Sequence, residues 1–376
     1  MIVGLNLLYL LPGVVGGTET YAAGLVHGLA RSPDPDRFVV FVNRESADWP
    51  LPDDPRFRRV VCPVHAVSRP ARYRYEQFRL PARAMAERVD LVHSLGYVAP
   101  LRLRRPSVLT VHDVHHLAYG RLREWPRRLI LAQMVRRSVR GAAAVIAVSR
   151  YTRDAVARAY DVPASAIDVV WEAPNPRLRS DSPEPGPLPA GVHVGPYLLA
   201  FGGITPNKNL ERLLRAFAIA RSRHGIAHRL VIVGHVAPSL RPEGTEGVVG
   251  TGYLGEPELA GLLRSADALV FPSLYEGFGL PILEAMTVGV PVVCSNAAAI
   301  PEVAGDAARY FDPRDVEAMA AAIAAVCRDP ALRRDLAARG RARAAAFSWE
   351  RAARETLAIY RRVLAPARAS VCPTPP

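Results

Sequence analysis

The stretch ALVFPSLYEGFGLPILEAMTVGVPVVC, residues 268–294, decides the fold. Ala268–Phe271 is a short apolar run bounded by proline, which suits a buried strand. Gly277 and Gly279 make a flexible turn. Leu280–Val288 has helical spacing, and Pro291–Cys294 is a second β-branched strand. A strand, a helix and a strand in this order form a parallel pair, because parallel strands need a long crossover between them.

The same rhythm runs outward in both directions. Upstream lie a strand at Tyr197–Phe201, a helix at Leu210–Arg223, a strand at Leu230–Val233 and a helix at Pro257–Ser265. Downstream, helical patterns cover Asp315–Cys327, Ala331–Ala346 and Trp349–Leu364, the last with Ser348 placed to cap it. The first half repeats the pattern. Ile2–Leu10 reads as a strand, followed by a turn with Pro12, Gly13, Gly16 and Gly17, and a helix from Thr18 to Arg31. Phe38–Val42, Val89–His93, Val108–His112 and Ala143–Val148 are further strands, with helices at Pro126–Arg140 and Thr152–Tyr160. Between the halves, Pro174, Pro176, Pro183, Pro185, Pro187, Pro189 and Pro196 crowd a segment without apolar periodicity, as in a linker. The reading is α/β: two Rossmann-like, doubly wound domains at 1–175 and 197–347, joined by a linker at 176–196. Ligands of such sheets bind at the carboxyl ends of the strands, so two facing domains enclose a cleft lined by post-strand loops.

The bulk numbers agree with a two-domain globular chain. It has 376 residues, 50% hydrophobic and 22% charged, which excludes a disordered body. No run is long enough to span a bilayer. Cys62, Cys294, Cys327 and Cys372 have no metal-type spacing and read as free thiols of a cytoplasmic protein. The net charge of +13 favours an anionic partner. Arginines cluster over residues 69–140, either as the surface habit of an Arg-rich genome or as a surface with a purpose. Beside Tyr73, Tyr75, Phe78, Leu80 and Trp125 they suit an anionic membrane face. No DNA- or RNA-binding module is present, and aromatics are only 7%.

Of the 48 cationic Lys and Arg residues, Lys208 alone is a lysine. A compact ammonium fits where a planar guanidinium does not, such as a tight pocket around a phosphate oxygen. Its setting, Gly202-Gly203-Ile204-Thr205-Pro206-Asn207-Lys208-Asn209, follows a strand and opens a helix. A helix start is a poor place for a cation on dipole grounds, so the residue is there for another reason.

In the 268–294 stretch, the amides of Phe278, Gly279 and Leu280 lie at a helix N-terminus, an anion site. Glu276 and Glu284 flank it. Each alone is a solvated carboxylate; together, beside an anion site, they suit the hydroxyls of a sugar and of a ribose. The loop Gly16-Gly17-Thr18-Glu19 offers amides from the opposite domain but is not a dinucleotide fingerprint. His112-Asp113 ends a strand, where His112 is either hydrogen-bonded structure or a group facing the cleft. His112, His115 and His116 lack a helical ligand spacing, and Asp34-Pro35-Asp36 reads as a turn, so no metal site is expected.

These pieces together resemble the retaining GT-B glycosyltransferases of family 4. They are Gly16-Gly17-x-Glu19, His112-Asp113, Val148-Ser149-x-x-Thr152, P-x-K-N at 206–209, Glu276-x7-Glu284, Gly289-x-Pro291-Val292-Val293, Pro301-Glu302 and Phe347-Ser348-Trp349. The resemblance covers almost the whole chain. It implies that Lys208 neutralises the diphosphate of a nucleotide-sugar donor. It places Gly16, Gly17, Asn207, Phe278, Gly279 and Leu280 around that donor, Glu284 on its ribose and Glu276 on the transferred sugar. His112 would sit at the reacting sugar, and a helix at 348–365 would cross back onto the first domain before a flexible tail at 366–376. No cofactor or obligatory metal is implied. The P-x-K-N form resembles mannosyltransferases, which suggests GDP-mannose and a saccharide or lipid-linked acceptor. A sugar-nucleotide epimerase or hydrolase, or a donor-binding pseudoenzyme, fits the same fold. One departure stands out: many relatives carry an arginine five residues before the lysine or immediately before it, where this chain has Gly203 and Asn207.

Overall fold

The computed structural model describes the chain except residues 119–124, 179–194, 204, 237–239, 241–245 and 366–376. Most of the segment read as a linker, and the whole tail, lie outside the described residues.

Strands β1 (Ile2–Asn6), β2 (Arg37–Val42), β3 (Phe57–Val61), β4 (Leu91–Ser94), β5 (Ser107–Val111), β6 (Ala144–Ala147) and β7 (Ile167–Val169) make one sheet. Strands β8 (Tyr197–Gly203), β9 (Arg229–Val236), β10 (Val248–Gly252), β11 (Ala268–Phe271), β12 (Val292–Ser295) and β13 (Ala308–Phe311) make the second. Their orders are β3-β2-β1-β4-β5-β6-β7 and β10-β9-β8-β11-β12-β13. The recorded pairings are parallel, with β1 registering Val3 against Phe38 on one side and Leu91 on the other. Both sheets are thus doubly wound, and this is the GT-B architecture. The order reverses between β1 and β4 in the first sheet and between β8 and β11 in the second, so each crevice for a ligand opens at those strand ends.

Helices cover both faces of each sheet, which is why the central strands are apolar on successive residues. Along β8, Tyr197 and Leu199 join one core layer, while Leu198 and Ala200 join the other with helices Leu210–Ser222 and Val316–Arg328.

The last helix, Trp349–Leu364, begins beyond the second sheet and packs on the first lobe. Ser348 caps it by accepting from Arg351 N at 3.1 Å. Helix Gly17–Ala30 admits it by lacking side chains at two positions. A Cβ on Gly24 would lie 1.9 Å from the Trp349 ring, and one on Gly28 2.2 Å from the Trp349 carbonyl oxygen. Tyr360 Oη meets His93 Nδ1 at 2.5 Å inside the first sheet, and Trp349 Nε1 donates to Pro174 O at 2.8 Å. Arg361 pairs with Asp34 at 2.7 Å, so the acidic turn at 34–36 receives this helix. Among the described residues, no helix is long and apolar enough to cross a membrane. Cys62, Cys294 and Cys327 are unbridged and buried.

Candidate active site

The site grows from the loops after β8 and β11, the two strands at the second sheet's switch point. After β8 the chain makes a short 3-10 turn, Pro206–Lys208, and enters helix Leu210–Ser222 through Asn209. Asn209 has φ +56, a left-handed conformation that Asn tolerates better than most residues. Its amide donates to the carbonyls of Pro272 (3.0 Å) and Pro313 (2.7 Å), fixing the turn to the loops after β11 and β13. Asn207 faces the same way. Its Nδ2 donates to Tyr275 O at 3.2 Å, its carbonyl accepts from Leu274 N at 2.7 Å, and its buried Oδ1 has no partner. Asn207 therefore holds the loop against the lysine's turn.

Those contacts aim Lys208 into the cleft. Its Nζ pairs with Glu276 Oε1 at 2.8 Å, with the side chains 24% and 18% exposed. That leaves both within reach of a ligand. Gly203 explains the stem's path, because a Cβ there would lie 2.7 Å from Lys208 Cγ. An arginine at 203 would compete with Lys208 for the same space.

The turn after Glu276 needs both of its glycines. Gly279 has φ +117, outside the range of residues with a Cβ. Gly277 presses on the first lobe: a Cβ there would lie 1.8 Å from His112 O. Helix Leu280–Thr287 starts at once, and Leu280 Cδ1 lies 3.5 Å from where a Cβ on Gly17 would be. The first glycine loop thus faces this helix start. Gly16 sits at the N-cap of its own helix with φ +59, and Glu19 steadies the loop by accepting from Gly13 N at 2.8 Å. Phe278 turns inward against Phe347, ring centroids 6.0 Å apart. Glu284 is buried one turn into the helix. Burial pushes its carboxyl up to about 7, against the opposing Asn175 backbone and with help from the Glu256 charge.

His112 follows β5 and is buried with both ring nitrogens engaged. Nδ1 lies 3.0 Å from Glu172 Oε1, and Nε2 lies 2.8 Å from Leu95 O. Burial disfavours charge on the ring, but the Glu172 hydrogen bond and charge, with the Leu95 carbonyl, outweigh it and hold its pKa above the usual value.

Around His112 the lobes are latched. Ser149 Oγ and Thr152 Oγ1 both donate to Gly277 O, at 2.6 and 2.9 Å. Tyr275 Oη accepts from Val114 N at 3.1 Å. Glu302 accepts from Arg150 N (2.9 Å), Tyr151 N (3.2 Å) and Trp171 Nε1 (2.7 Å), placing a carboxylate at the N-terminus of helix Arg150–Tyr160. The sequence pieces Ser149-x-x-Thr152 and Pro301-Glu302 are therefore contacts between lobes. Glu172 and Tyr275 were not singled out in the sequence. Tyr275 sits inside the decisive stretch, whereas Glu172 follows an unread strand and carries no local signal.

The structure thus brings Lys208, Glu276 and Gly277 of the second lobe to face His112 of the first across the cleft, with Gly16, Gly17, Gly279 and Leu280 meeting where the two lobes approach. Asn207, Phe278 and Glu284 are buried behind that surface.

Comparison with known proteins identifies the family. Residues 15–173 match the model of Glycosyltransferase Family 4, and residues 195–329 match that of Glycosyl transferases group 1. The chain is 34% identical over 301 residues to O-antigen chain mannosyltransferase B of Escherichia coli, covering 77% of this chain and 79% of that one. The fold is similar to sucrose-phosphate synthase from Thermosynechococcus elongatus (TM-score 0.76, 20% identity, 98% and 100% of the two chains). It is also similar to Anabaena HepE in complex with UDP and glucose (TM-score 0.68, 18% identity, 96% and 100%). The chain belongs to the family 4 glycosyltransferases, with the GT-B fold.

Proposed function

We propose that the chain transfers a mannosyl residue from GDP-mannose to a saccharide or lipid-linked acceptor, with retention of anomeric configuration. The Lys208–Glu276 pair at the β8/β11 switch point carries this reading. In the free protein the two groups neutralise each other. A diphosphate arriving at the start of helix Leu280–Thr287 draws Lys208 to itself and frees Glu276 to bind sugar hydroxyls. As the bond from the sugar to the diphosphate breaks, negative charge grows on the leaving oxygen. Lys208 and the helix-end amides oppose it as preorganised electrostatics. The acceptor hydroxyl attacks the same face and passes its proton to the departing phosphate. Mannose is favoured by the named activity of the E. coli relative, and a nucleotide diphosphate by the UDP bound to HepE. No obligatory metal enters this scheme.

The test is transfer from GDP-, UDP- and dTDP-sugars, with and without a saccharide acceptor. Acceptor-dependent consumption of GDP-mannose alone supports the reading. Consumption without acceptor makes the protein an epimerase or hydrolase, and binding without turnover makes it a pseudoenzyme.

A second feature favours a lipid-linked acceptor at the cytoplasmic face of a membrane. Helices Arg69–Phe78 and Leu80–Ala86 border an open groove of about 1020 Å³ lined by Val64, Arg74, Tyr75, Phe78, Arg79 and Arg83. Phe78 is 56% exposed, with Arg102 stacked 4.8 Å over its ring. Cationic and apolar side chains on one face match an anionic bilayer. Co-flotation with phosphatidylglycerol vesicles, lost on Arg74→Glu/Arg79→Glu and absent with neutral vesicles, is the expected result. Equal recovery with both vesicle types overturns it.

A further inference from the structure

Residues 170–175 form a strap that leaves β7 toward the second lobe, and its successive residues meet different elements around the cleft. Trp171 donates to Glu302, the Pro174 carbonyl receives Trp349, and the Asn175 backbone faces Glu284. Glu172 points back at His112. Its carboxylate is 5% exposed, and the ring it meets is 8% exposed.

Hydrogen-bond chemistry constrains this contact. The Leu95 carbonyl can only accept, so His112 Nε2 carries a proton. Glu172 at Nδ1 then favours a second proton there, its hydrogen bond and charge opposing the burial that raises its own carboxyl. Asp113 adds negative charge from the same loop. The other titratable groups packed around the ring are Tyr21, edge-on at 4.7 Å, Tyr97 at 6.0 Å, and His93 on β4. Burial drives His93 to a pKa of about 3, so it stays neutral and leaves His112 as the charged ring of the two.

We infer that Glu172 is a positioning residue for transfer: from the interlobe strap it fixes the His112 ring and keeps both ring nitrogens protonated, so that His112 cannot act as a base. This rests on the proposed placement of His112 at the reacting sugar. A doubly protonated imidazole has no lone pair to take the acceptor's proton, which sends that proton to the departing phosphate. It also ties the strap's position to the reacting centre.

The test combines nitrogen-15 histidine NMR with kinetics on the full chain, with the His112 signals assigned by a His112→Asn variant. In the wild type, the His112 ring nitrogens are expected to keep imidazolium shifts at pH 7, above the range where a free histidine loses its proton. In Glu172→Gln the ring should become neutral by pH 7. There kcat should fall about 10- to 100-fold, by analogy with losing the outer hydrogen-bond partner of a metal-bound histidine. Donor KM should stay within about twofold, because no donor contact is removed. Glu172→Asp, which keeps the carboxylate, should restore the imidazolium shifts and part of kcat. A neutral His112 in the wild type at pH 7, or a Glu172→Gln variant with unchanged titration and kcat, overturns the inference. If the wild type transfers no sugar from any donor, the functional reading fails instead, while the NMR titration still decides the Glu172–His112 contact.

Discussion

Two acid–base contacts line the cleft, one from each lobe, and they are built for different ends. Lys208–Glu276 sits at a switch point with both side chains about one-fifth exposed. His112–Glu172 lies under the opposite wall, nearly closed to water, with the remaining ring nitrogen also satisfied. A pair left partly open to the cleft can exchange its partner for a ligand without stranding a charge. Breaking a buried pair costs about 3–5 kcal/mol, because a charge is stranded. The open pair is therefore suited to meet a ligand and the closed pair to hold geometry. Gly277 separates them, with its own carbonyl bound by Ser149 and Thr152 and no room for a methyl group toward His112 O.

The contrast can be broken most directly at Lys208. Lys208→Ala should lower kcat by about 10²–10³-fold, the effect of removing one preorganised donor to a developing anion. Its urea midpoint should move little. A large loss of stability with modest loss of turnover would show that the open pair is structural after all.

Glu284 sharpens the comparison as a buried carboxylate that forms no ion pair among the described residues. Its carboxyl is raised from 4.5 to about 7 in the fold, so the native state binds more protons than the unfolded chain between those values. This contribution is intact below about pH 4.5 and is lost as pH rises through about 7. Glu284→Gln should therefore leave stability unchanged near pH 4 and raise it at pH 8, by on the order of 3 kcal/mol at most. Parallel melting curves of the two proteins across this range would reveal a flat difference if the site were solvated.

Gly277→Ala tests the wedge between the pairs. The added methyl must displace the His112 carbonyl, which should cost about 1–3 kcal/mol and disturb both pairs at once. Wild-type stability and turnover would mean that the lobes separate at this point without consequence. The smallest effect belongs to Ser348→Ala, whose hydroxyl caps its own helix and bonds neither pair. It should remove a helix cap worth about 1 kcal/mol while donor KM stays fixed.

The legibility of the fold divides along a physical line. Ala268–Phe271 and Trp349–Leu364 appear in the structure with the boundaries read from the sequence. The four strands the sequence reading passed over are β3, β7, β10 and β13, and these are the four edges of the two sheets. Central strands are buried on both faces and become continuous apolar runs. Edges are wet on one side and use other residues: Arg58 and Arg59 within β3, two glycines in β10, and only three residues in β7. The helices at 69–86 were hidden in the same way, under arginines that face outward. At the site, Lys208 and Glu276 were legible because composition and glycine spacing marked them. Glu172 was not, because its partner lies 60 residues away across β6 and β7.

The last helix has a consequence for how the chain is made. Its landing place is the Gly24–Gly28 face of the first lobe, whose sequence leaves the ribosome long before residues 349–364 do. Domains generally fold in order of synthesis. Here the first lobe must wait with that face bare, and with His93 short of its Tyr360 partner, until the entire second lobe has emerged. Its maturation is thus set by the length of the sequence that follows it. A nascent chain stalled within the second sheet would carry a lobe open along one helix, recognisable to proteases and chaperones as unfinished.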